Sequence, residues 1–354
     1  MKEISLILLL LVVLISCNQN QMKLSQTMNK SENQLIDTSD ITNDFYDNTE
    51  TVALPLVDLF VEGEISNPGK VDFSSLHLHS VIVKETLLDT SGSDEFIGAY
   101  RYDGYSLFDI LNARKIKKSN SEEFNPIIDL YVEIENRNGE KVVFSWGEIY
   151  YPDNLHKIII ANSVSRIVPS RTKELWPLPI GSKIVAGNDL ITERNISDPV
   201  KITVRSFPKS FKVIKGLSPM YSTEFKLFKE DKLLAAIAPA NKKDNITFNT
   251  IFYGRGKGIH STSPFKGLLL KDVIGKYYPV SRINLQAGIL CITGKDGYRC
   301  AVSYSELFNR NDQQEFLLVR SASEEDGGLY RIFAACDFFS DRAIKSVCEI
   351  HLVY

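Results

Sequence analysis

The sequence predicts an α+β fold that is predominantly β, built from one unit written twice in tandem. Three observations predict it. Short runs of alternating apolar and polar residues recur, with turn residues every ten or so positions, which is the pattern of strands. The apolar stretches at helical spacing are brief, so the long crossover helices of a doubly wound sheet are absent. Third, ITGKDGYRCAVSYSEL at 292–307 echoes IENRNGEKVVFSWGEI at 134–149.

Along the chain, residues 1–17 read as a lipoprotein signal peptide. Lys2 supplies the basic start, and Ile4 to Ile15 is an almost unbroken apolar run. That run is shorter than the roughly 20 residues a membrane-spanning helix needs, and it fits a secretory leader. Leu14-Ile15-Ser16-Cys17 closes it as a lipobox would, making Cys17 the lipidated residue and membrane anchor. Asn18 is not an acidic inner-membrane retention signal, which points to the outer membrane of a diderm bacterium. Residues 18–52 are rich in Asn, Gln, Ser, Thr and Asp, and read as a disordered tether.

The first copy is placed at 53–208 and the second at 222–354, with 209–221 as linker. Ile292 falls on Ile134, Gly297 on Gly139, Ser303 on Ser145 and Glu306 on Glu148. Upstream, Phe265-Lys266-Gly267 matches Tyr102-Asp103-Gly104, each followed by a short helix. Downstream, Arg331 to Ala334 matches Lys183 to Ala186, and Arg342 meets Arg194. Order is kept, and the spacing changes only where loops fall.

Hydrophobic residues are 44% of the chain and charged residues 24%, as in ordinary globular protein. The net charge of −3 and the absence of a basic stripe exclude nucleic-acid binding. Past Cys17 the cysteines are Cys291, Cys300, Cys336 and Cys348. A four-residue turn at Gly294–Gly297 would set Cys291 opposite Cys300, within reach of a disulfide; the other reading is two reduced, half-buried thiols. No CxxC or Cys/His cluster argues for zinc.

The repeat unit resembles the molybdopterin-binding domain of sulfite-oxidase-type oxidoreductases. The likeness is carried by Glu62-Gly63-Glu64-Ile65-Ser66-Asn67-Pro68-Gly69, by the two aromatic-x-Gly elements, by Asp296-Gly297-Tyr298 with Ser303 and Glu306-Leu307, and by Lys183 to Ala186 and Arg331 to Ala334. It implies two tandem domains of that fold. It also implies a cysteine thiolate on molybdenum, and no cysteine occurs from residue 18 to residue 290. A soft metal centre prefers a thiolate, so the resemblance implies a frame without its metal ligand.

Among other candidates, Tyr253-Gly-Arg-Gly-Lys-Gly-Ile-His260 exposes backbone amides beside Arg255, Lys257 and His260, a place for an anionic ligand or simply a surface loop. His77 and His79, two apart, would share one face of a strand, but a metal needs a third ligand. His156 and His351 have no visible partner. No catalytic residue or metal site is nominated. The expectation is a non-enzymatic, lipid-anchored binding or assembly module of the cell envelope, without cofactor. Its partner would be an envelope protein, a glycan or a small anion. The alternative is a molybdopterin-dependent oxidoreductase with an atypical metal ligand.

Overall fold

The structure is a computed structural model that describes residues 49–238, 246–320, 328 and 330–354. The leader, Cys17 and most of the tether lie outside the described residues. Residues 169–174 are set apart from the unit described below; within them the Lys173 N–H donates to the Pro169 carbonyl at 3.0 Å. Residues 46–168 and 175–354 form one compact unit, in which everything below lies.

Its first half contains β1 (Val52–Ala53), β2 (Phe60–Gly63), β3 (Gly69–Lys70), β4 (Leu78–Leu88), β5 (Asp94–Ser106), β6 (Leu130–Asn136), β7 (Lys141–Ser145), β8 (Ile158–Arg166), β9 (Lys183–Ala186) and β10 (Pro199–Ser206). Its helices are α1 (Leu107–Asn112) and α2 (Trp146–Tyr150). The second half contains β11 (Phe225–Lys229), β12 (Lys232–Ile237), β13 (Ile246–Phe248), β14 (Phe252–Gly254), β15 (Gly258–Ser261), β16 (Phe265–Leu269), β17 (Ile289–Gly294), β18 (Arg299–Ser303), β19 (Phe316–Arg320), β20 (Tyr330–Ala334) and β21 (Val347–Val353). Helices α3 (Leu270–Ile274), α4 (Arg282–Ala287) and α5 (Tyr304–Phe308) complete it.

One pairing scheme runs through both halves. The sheet β3-β2-β10-β6-β7 has the same order as β12-β11-β21-β17-β18, and in each the second strand lies parallel to the third. Likewise β4-β5-β8-β9 has the order of β13-β16-β19-β20, with β1 added beside β8. The Gly of each aromatic-x-Gly element sits in the strand before the helix. A Cβ on Gly104 would lie 2.3 Å from the Ile160 carbonyl oxygen, and one on Gly267 2.7 Å from that of Leu318, so the neighbouring strand forbids a side chain. The helices that follow the hairpins start at serines. Ser145 accepts from the Glu148 N–H while Glu148 accepts from the Ser145 N–H, a reciprocal cap, and Ser303 caps α5 by accepting from the Glu306 N–H.

Two expectations are corrected. The chain is mostly β, 43% strand against 13% helix, and its four large sheets are arranged like the blades of a four-bladed β-propeller. This is not the α+β fold of two tandem sulfite-oxidase-type molybdopterin-binding-like domains. The physical reason is visible in the hairpins. Every residue of β17 and β18 is buried, and β7 is buried from its second residue on, so these strands are covered on both faces. One cluster joins Tyr131, Val143, Phe207 and Phe211 to Ile289, Cys291 and Ala301. A larger one takes Leu88, Phe124, Ile128 and Tyr151 into the core of the second half. The halves therefore share core, and the linker is part of it, since Phe211 is buried there.

The second correction concerns Cys291 and Cys300. Both hairpins turn through three residues rather than four: the Gly294 N–H donates to the Tyr298 carbonyl at 2.8 Å, and the Asn136 N–H to that of Glu140 at 3.0 Å. Gly297 and Gly139 hold the left-handed position at φ 80° and 82°. The register becomes Cys291 opposite Ala301 and Ile292 opposite Cys300. One residue of slip turns the two thiols to opposite faces of the sheet, and both cysteines are free. Burial pushes the Cys291 thiol up to about 12.

Candidate functional site

Where residues 151–153 of the first half meet 336–338 of the second, the two chains of residues pair. Pro152 bridges to Asp337, the Asp153 N–H donates to the Cys336 carbonyl at 2.9 Å, and the Phe338 N–H to the Tyr151 carbonyl at 2.6 Å. Beside this seam opens a cleft of about 570 Å³. Its apolar wall is Phe248, Phe333 and Ala335, with Phe333 stacked on Phe265 at 4.5 Å. At the mouth stand Ile251, 64% exposed, and Phe338, 53% exposed, with Tyr253 at 5.8 Å from Phe338 between ring centroids. Asp153, Asn249, Thr250, Gln314 and Asp337 supply its polar groups, and among the described residues no lysine or arginine lines it. Burial raises the Asp153 carboxyl above its ordinary value.

The residues singled out for an anionic ligand stand elsewhere. Arg255, Lys257 and His260 belong to the β14–β15 hairpin, all exposed, and none lines the cleft. Arg255 is committed to Asp341, Nε to Oδ2 at 2.7 Å, and lies over the Tyr151 ring. His260 packs against Phe252, under Gly254, where a Cβ would come within 2.3 Å of its Nε2. The three side chains do not converge.

A buried ionic pair of clusters lies at the junction of the halves. Arg194 donates to both oxygens of Asp189 at 2.6 and 2.8 Å and both of Glu148 at 3.0 and 3.1 Å, and it reaches the Ser303 hydroxyl of the other half at 3.1 Å. Arg342 donates to Asp337 at 2.5 and 2.8 Å and to Glu306 at 2.5 Å, and it reaches Ser145 of the first half at 3.3 Å. Each arginine thus binds the helix-capping serine of the opposite hairpin. Burial alone would lower both guanidinium pKa values; the flanking carboxylates outweigh it and raise them. Two carboxylates share each guanidinium. Burial pushes Asp337 up to about 6 against the pull of Arg342, and Glu148 is raised in the same way. The two arginines are fully buried, and these clusters position the halves, with Asp337 also reaching the wall of the cleft.

A third group was not legible along the chain. His77 is exposed and precedes β4, whereas His79 lies on it and meets Asp109 of α1, Nε2 to Oδ2 at 2.7 Å. His156, in the loop before β8, stacks on His79 with ring centroids 4.0 Å apart. Burial first, and the neighbouring His79 imidazole second, lower the His156 pKa. The clue in the sequence was thin: a Ser106-x-x-Asp109 cap, whose acid also faces outward to a strand. The cleft left a clue in the adjacent Phe338-Phe339, one of which must point outward. No family model matches this chain, and no curated protein matches it.

Proposed function

We propose that the protein is a non-catalytic binding protein of the cell envelope, anchored through lipid on Cys17, that holds a short, uncharged glycan in the cleft of its second half. The single observation that carries this reading is the cleft itself. It is concave, about 570 Å³, walled by Phe248 and Phe333 and fronted by Tyr253 and Phe338. Apolar walls with a few placed polar groups are the usual make-up of a ligand site. Exposed aromatic faces suit the C–H faces of a sugar ring, while Asp153, Asn249 and Gln314 offer acceptors and donors for hydroxyls. Two carboxylates, Asp153 and Asp337, and no lysine or arginine among the described lining residues argue against an anionic ligand. The lipobox and the polar stretch 18–52 support the anchored location.

Calorimetric titration of the full chain in detergent with a panel of neutral envelope oligosaccharides tests the proposal. We expect saturable binding that Tyr253→Ala and Phe338→Ala each weaken about tenfold, since one aromatic contact is worth roughly 0.5–1.5 kcal/mol beyond its area. Absence of binding across the panel, or stoichiometric molybdenum in the purified protein, would overturn it.

A further inference from the structure

We propose that His79, Asp109 and His156 form a site for one divalent transition-metal ion, with Zn²⁺ the best match. The site lies in the first half and does not depend on the reading of the cleft.

Three separate elements bring the donors together: strand β4, helix α1 and the loop before β8. The ligating atoms all lie within 4.8 Å of one another. Asp109 Oδ2 is 2.7 Å from His79 Nε2 and 3.7 Å from His156 Nδ1. Two imidazoles and a carboxylate are the protein donor set of an open zinc site, whose remaining position takes water or substrate. Metal–donor distances of about 2.0–2.2 Å at tetrahedral angles put donor atoms about 3.4 Å apart. The carboxylate–His79 pair must open, and the carboxylate–His156 pair close, by less than about 1 Å. The rings now stack nearly parallel, 3° between planes, so the His156 ring must turn about its Cβ–Cγ bond for both imidazoles to face one ion.

The surroundings hold the donors as a ligand shell would. Ser106 caps α1 and donates to Asp109 Oδ2 at 2.9 Å, fixing the carboxylate, and its hydroxyl also lies 3.1 Å from His156 Nδ1. Phe108 meets the His156 ring edge-on, 5.2 Å between centroids. Such outer contacts orient metal-binding side chains. An independent observation comes from the backbone. His156 sits at φ 66°, in the left-handed region where glycine is the cheap choice. A side chain kept at a strained position points to a task for that side chain. All three side chains are only 23–33% exposed, so a bound ion would be shielded yet reachable from solvent.

The test uses the full chain in detergent, freed of metal with a chelator and titrated with Co²⁺, whose visible absorption reports coordination. Zn²⁺ affinity is then read by competition with a chromogenic chelator. We expect saturation at one equivalent and a rise in the thermal midpoint on adding Zn²⁺. His79→Ala and His156→Gly should each weaken Zn²⁺ binding at least about tenfold and abolish that rise. His156→Gly suits the local φ, so it removes the ligand while keeping the fold. His77→Ala removes an exposed neighbouring imidazole and should bind as the unaltered protein does. No saturable uptake, or equal affinity in His156→Gly and His77→Ala, would overturn the proposal.

Discussion

Arg342 is fully buried, and its charge is met by two carboxylates and a serine hydroxyl. Breaking a buried pair from one side leaves uncompensated charge, at a cost of about 3–5 kcal/mol. Arg342→Met strands Asp337 and Glu306 together, so we expect a loss of that size in urea unfolding. Asp337 adds a dependence on pH. Its folded value of about 6 lies above the ordinary 3.8. Between those values the folded chain keeps a proton that the unfolded chain has released, so stability falls as pH rises through that window, by up to about 3 kcal/mol. Asp337→Asn cannot titrate. The unfolding free energy of the unaltered protein relative to this variant should therefore decline from about pH 4 to about pH 6, and a flat difference would refute the assignment.

At the scale of elements, the paired hairpins offer a controlled comparison. Gly139 and Gly297 share a left-handed conformation, and a Cβ there costs about 1–2 kcal/mol in strain. Around Gly139 nothing lies within 4 Å of such a Cβ, whereas at Gly297 it would meet the Lys212 carbonyl oxygen at 2.3 Å. Gly139→Ala should cost only the strain, and Gly297→Ala clearly more, because the linker backbone would have to shift. Thermal or urea midpoints of the two variants decide this. Ser145→Ala removes a reciprocal cap and also a partner of Arg342. We expect a loss above the roughly 1 kcal/mol of an ordinary cap, measured the same way. Elements of this length were readable in the chain because turn glycines and alternation are local. The register was not: whether Lys295–Gly297 or Gly294–Gly297 forms the loop moves every later residue by one, and that choice decided the fate of Cys291 and Cys300.

In the whole molecule, the halves are bound by shared core and by charges buried across their junction. Phe211 of the linker and Phe124 of the first half pack with residues of the second. A chain ended at residue 208 would expose β7 and the face of Tyr131, and would leave Arg194 without Ser303. We expect it to show no cooperative unfolding transition, followed by circular dichroism, while the full chain unfolds cooperatively; cooperative unfolding of the fragment would show that the halves stand alone. By itself the sequence determined the strand-rich character, the paired hairpins and the matched positions of Ser145 with Ser303 and Arg194 with Arg342, because each follows from periodicity or from residue types a few positions apart. Only the tertiary structure decided that four sheets form one propeller-like unit, that the cations of the β14–β15 hairpin stay apart, and that His79 meets Asp109 and His156. Those outcomes depend on which faces of which strands meet, and residues 30 to 200 positions apart carry no mark of that meeting until the core between them is packed.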